Sequence, residues 1–181
     1  MTTIISPEQV MAESRLEMKR RGFLAKGNGE SLCLHWSGCA VVVLRRETDL
    51  RPQLQGGSAF WRTNDLPEPH PTNFGYQWDW EVAKARLSNS LLPESHFWVG
   101  LPSTGEIIDL TTGFQEQQAR TTCGGSIHWE DRYRLPSAVW APGASLDSRG
   151  IYYTPDIRAC RVGYHLLITA LGFTRGELGW T

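Results

Sequence analysis

The chain has 181 residues, 40% of them hydrophobic and 20% charged, with a formal net charge of −1. Those values exclude a polar disordered chain, and the near-neutral balance argues against a nucleic-acid partner, which calls for a basic surplus. No run approaches the roughly 18 apolar residues of a membrane-spanning helix, so no membrane partner is expected.

Met1-Thr2-Thr3 leads into Ser6-Pro7-Glu8 without the basic and apolar regions of a secretory signal, so a cytoplasmic location is expected. One domain spanning 1–181 is long enough to bury a full core. Cys33, Cys39, Cys123 and Cys160 lack C-x-x-C spacing, and reduced thiols are the expectation.

Ser6 as N-cap, Pro7 at the first helical position and Gln9 as capping-box partner open a helix that runs to Arg21 and stops at Gly22. Lys26 to Glu30 is loop, and Ser31 can cap the next segment. From Leu32 to Arg46 the length, the cap and the terminal Arg45-Arg46 favour a buried helix over a strand. A strand within 50–59 is expected to end at Gly56-Gly57, followed by a proline-rich loop over 66–72. Phe74, Tyr76 and Trp78 alternate on a strand over 73–78. Asp79 caps a helix over 80–90, ended by Pro93.

His96 to Leu101 and Glu106 to Leu110 then form a hairpin around Pro102-Ser103-Thr104-Gly105. Pairing Leu101 with Glu106 sets Trp98 opposite Asp109 and puts His96 diagonally from Asp109 on one face. A slip of one residue would send Asp109 to the other face. Beyond the hairpin come a helix at 114–119, a Gly124-Gly125 turn, a surface loop over 137–150, a strand over 150–154 and a helix over 157–171 capped by Asp156. Helices first and an antiparallel sheet after them give an α+β class.

An imidazole beside a carboxylate is two thirds of a nucleophilic triad. Cys33 is the fitting third member, because the first turn of a helix favours a thiolate. The Gly27-Asn28-Gly29 loop lets backbone approach an oxyanion, which makes Asn28 a candidate substrate contact. Cys39 points to another helix face and belongs to the core. Trp36, Trp78 and Trp98 are candidate substrate-binding aromatics. Pro67 to Pro71, with His70, is a candidate flap over the site. Cys33, His35, Cys39 and His128 offer soft metal ligands, but without a second tight pair no metal and no cofactor is expected.

Gly29-Glu30-Ser31-Leu32-Cys33, followed by Arg45 at the end of an apolar helix, resembles the nucleophile helix of the transglutaminase-like (papain-like) cysteine superfamily. His96-Phe97-Trp98-Val99 and Ile107-Ile108-Asp109-Leu110-Thr111 resemble its histidine and aspartate strands. More narrowly, Cys33-Leu34-His35-Trp36 and His96 to Pro102 are similar to C-L-x-W and H-x-W-V-x-L-P segments of small bacterial transglutaminase-like proteins. The likeness covers about residues 27–112. It implies a papain-like α+β fold in which Cys33 attacks a carbonyl, His96 is the general base and Asp109 orients it. The expected partner is a peptide, a protein or a small amide or thioester substrate. The competing expectation is a catalytically inactive module that binds a peptide or small ligand in an aromatic groove.

Overall fold

The computed structural model describes residues 5–26, 32–67, 71–124 and 126–180. Asn28, Ser31 and His70 lie outside them, as do the Gly27–Gly29 loop and Gly125.

Helix α1 (Pro7–Arg20) starts with the expected capping box: Gln9 N–H donates to Ser6 Oγ, and Ser6 N–H donates to Gln9 Oε1. It packs along α2 (Cys33–Glu47), whose residues from Trp36 to Leu44 are all buried. That continuous burial explains the all-apolar run Ala40 to Leu44, which a half-exposed helix would not carry.

Among the described residues, six strands form one antiparallel sheet: β1 (Gln53–Arg62), β2 (Asn73–Tyr76), β3 (His96–Leu101), β4 (Glu106–Asp109), β5 (Val139–Pro142) and β6 (Ile151–Pro155). β1 is the hub. Along one edge it pairs first with β3 and then with β2; along the other it pairs with β6, so that Gly57 lies between His96 and Pro155. β3, β4 and β5 follow in order. Helices α3 (Trp80–Ser88), α4 (Gln115–Thr122), α5 (Gly143–Asp147), α6 (Ile157–Thr169) and α7 (Arg175–Leu178) complete the α+β arrangement. Asp79 caps α3 and Asp156 caps α6 as their positions predict.

Two expectations are corrected. β1 does not stop at Gly56-Gly57 but continues to Arg62. The glycines are there for close approach, not termination: a Cβ on Gly57 would stand 2.2 Å from Thr154 O, and one on Gly56 would stand 2.6 Å from Cε1 of Phe97. The segment 137–150 is not a surface loop, because it supplies β5, which pairs with β4 and buries Val139, and then α5, which buries Leu146.

β3 alternates across the sheet. Phe97, Val99 and Leu101 join the core against α2, while His96 and Trp98 face the other side. The Phe97 ring is seated against Gly56 and Gly163 of α6, where a Cβ would come within 2.6 and 2.5 Å of Cε1. Ser37, one turn beyond Cys33, donates from Oγ to Phe97 O at 2.9 Å, a buried bond that ties the start of α2 to the start of β3.

A Gly56→Ala substitution should therefore displace Phe97 and, with it, the bond to Ser37. The expected loss is about 1–3 kcal/mol of stability, the usual range for overpacking a filled core. Urea unfolding of the variant measures it.

Candidate active site

His96 is the first residue of β3 and Asp109 the last of β4. Leu101 pairs with Glu106, the expected register, and the diagonal contact follows: His96 Nε2 lies 2.7 Å from Asp109 Oδ2. Both side chains are 1% exposed.

Every donor that Asp109 needs is present. Thr111 donates to Oδ1 from its backbone N–H at 2.8 Å and from Oγ1 at 2.7 Å. Tyr153 of β6 donates its phenol to Oδ2 at 2.8 Å, so the oxygen that meets the imidazole is shared. Burial alone would raise the carboxyl, but His96 and the Thr111 donors outweigh it and hold the pKa below the ordinary carboxylate value.

For His96 the opposing effects are burial, which disfavours the charged ring, and the adjacent Asp109 carboxylate, with Cys33 near enough to add to it. The carboxylate prevails, and the pKa is raised to about 10. The ring is fixed by aromatic neighbours: Tyr76 stacks on it at 5.5 Å and 14°, and Trp61 meets it edge-on at 5.1 Å and 90°. Its second nitrogen, Nδ1, is buried, and the Cys33 thiol also acts on the ring.

Cys33 is the first residue of α2, partly exposed, and lines with His96 and Tyr76 a cleft of about 310 Å³. The α2 cap position is Leu32, with no side-chain cap bond. Ser95 Oγ and Gln115 Oε1, both on residues lining this cleft, are buried without a hydrogen-bond partner among the described residues. Gln115 is held from its other end, donating from Nε2 to Thr111 O at 3.2 Å. All four cysteines are free thiols, and burial pushes Cys39 up to about 12, which suits a core thiol rather than a nucleophile.

The expected substrate aromatics are elsewhere. Trp36 (4% exposed) belongs to the α2 core, Trp78 (9%) packs with Ala83 and Ala159, and Trp98 (0%) donates from Nε1 to Gln55 Oε1 at 2.8 Å. None lines the cleft at Cys33. They serve packing, because nearness in sequence to a site residue does not set the direction of a side chain. His35 meets the Phe23 ring edge-on at 4.8 Å, and among the described residues no three His, Cys, Asp or Glu side chains gather as metal ligands would. No helix of the described residues is long and apolar enough to cross a membrane.

Tyr153, Thr111 and Gln115 escaped sequence reasoning. Thr111 had a local signal, since a threonine two residues after an aspartate can close an Asx turn. Tyr153 had none, because only the β1–β6 pairing carries it to Asp109.

No family model matches the chain, and no curated protein does. Among solved structures, the crystal structure of a genomics target is similar to it, with a TM-score of 0.53 at 12% identity over 97% of this chain and 80% of that one. The likeness is one of fold.

Relative to an unfolded ring titrating near 6.5, the raised His96 pKa gives stability that is whole below that pH and is lost as pH rises towards about 10. Nitrogen NMR should accordingly find His96 protonated at pH 7, and Asp109→Asn should bring its titration down towards neutrality. Tyr153→Phe, which removes one bond to a charged acceptor, should cost about 1.5–3 kcal/mol by urea unfolding.

Proposed function

We propose that this protein is a cysteine-dependent acyl-transfer enzyme of transglutaminase-like, papain-like type, with Cys33 as nucleophile, His96 as acid and base and Asp109 as its orienting partner. The observation that carries the reading is the two-sided placement of His96. One ring nitrogen is committed to Asp109, while the ring also interacts with the Cys33 thiol, and His96 and Cys33 line one cleft.

The substrate is an amide or thioester carbonyl. The Cys33 sulfur adds to the carbonyl carbon while His96 holds the thiol proton. Collapse of the tetrahedral adduct breaks the C–N or C–S bond, and His96 gives the proton to the departing amine or thiol, leaving a thioester on Cys33. Water or an amine then attacks, His96 takes its proton, and the sulfur leaves. Asp109 keeps the ring oriented throughout and balances its charge. Ser95 and Gln115 supply the polar atoms with which the cleft can position the reacting group.

A simple acyl donor, the acetyl thioester of N-acetylcysteamine, tests this. Rapid quenching and intact-protein mass spectrometry should find one acetyl group, mapped to Cys33. Cys33→Ala should form none, and His96→Ala should form it about 10²–10⁴ times more slowly. Acylation spread evenly over Cys33, Cys123 and Cys160, and unaffected by His96→Ala, would refute the reading.

A further inference from the structure

The space beside Cys33 has mostly hydrocarbon walls, among them Leu34 of α2, Phe114, Leu92 and Leu166 of α6. Leu92, which lines the cleft, is two-thirds exposed. Apart from His96, whose charge Asp109 balances, the charged residues of this lining are Arg86 and Glu94, which pair with each other at 3.3 Å.

Leu166 belongs to a second space as well. A groove of about 330 Å³ runs between α3 and α6, walled by Trp80, Leu87, Val162 and Leu166. At its rim Arg158 is paired with Asp156 at 3.0 Å, and Arg161 and His165 are exposed. Leu166 therefore lines both spaces, and a track across it would lead away from the nucleophile.

The composition of that track selects its occupant. Every residue lining the second groove lies within α3 or α6, so, apart from the N–H groups of the first helical turns, its backbone is engaged in helical bonding. An extended peptide laid there would bury its own N–H and C=O groups without partners. A hydrocarbon chain has no such groups to satisfy, and each methylene buried strengthens binding by about threefold to fourfold.

Resting on the acyl-transfer reading above, we infer that the acyl group this site takes is an aliphatic chain. It would extend from a carbonyl at Cys33 across Leu166 into the groove between α3 and α6.

A chain-length series of N-acetylcysteamine thioesters, from acetyl through butyryl and hexanoyl to octanoyl, tests it by the rate of Cys33 acylation. The rate constant should climb by about threefold for each methylene that enters the track, and Leu166→Asp or Val162→Asp should flatten the series. A series already flat on a protein that does acylate Cys33 overturns this inference and leaves the acyl-transfer reading standing. If no member acylates Cys33, that reading fails instead, and calorimetric titration of Cys33→Ala protein with octanamide decides the track. Saturable binding that Val162→Asp removes supports an aliphatic occupant, and no binding beyond that of acetamide overturns it.

Discussion

The buried contact between His96 and Asp109 sets the terms for the sheet around it. Two ionisable groups withdrawn from water cost more than their mutual attraction returns, unless the remaining polar positions are also satisfied. Asp109 meets that condition with four donors: the imidazole, the Tyr153 phenol and both donors of Thr111. Those partners come from β3, β6 and the turn after β4. The pair therefore demands that the β3–β4 hairpin and the β1–β6 edge both be in register. A slip of one residue in either would leave a buried carboxylate short of partners.

A second constraint brings the thiol to this pair. The close approach of Phe97 to Gly56 and Gly163, and the bond from Ser37 to Phe97 O, seat α2 on the start of β3. Cys33 and His96 begin those two elements, and the strand's alternation sends Phe97 into the helical core while His96 joins Trp61, Tyr76 and Tyr153 on the other side. Packing on one face of β3 thus holds the chemistry that surrounds the other.

Much of the site was legible where its signals were local. The turn residues 102–105 fixed the hairpin register, and the register fixed the diagonal of His96 and Asp109. Asp79 and Asp156 marked helix starts by a mechanism that needs only three residues. What stayed hidden depended on distant partners. Gly56-Gly57 reads as a stop until the Phe97 ring and the Thr154 carbonyl are brought against it. Val139 to Pro142 looks like loop because its hydrogen bonds go to β4, and Tyr153 carries no sign of Asp109 at all. The short helix α7 did leave a mark, the Thr174–Glu177 capping box, which its four-residue length makes easy to pass over. The tryptophans misled for the opposite reason: an indole near a site residue in sequence is as readily a core residue, and Trp36, Trp78 and Trp98 are all core.

Whether the thiol and the imidazole act as one unit is tested most directly by iodoacetamide alkylation, followed residue by residue with mass spectrometry at pH 7. Cys123 and Cys160 are partly exposed like Cys33 and serve as internal controls for access. If His96 activates Cys33, that thiol should be labelled about tenfold faster than either control, and His96→Ala should abolish the advantage. Labelling of Cys33 no faster than that of Cys123 and Cys160, and unchanged in the variant, would contradict the triad.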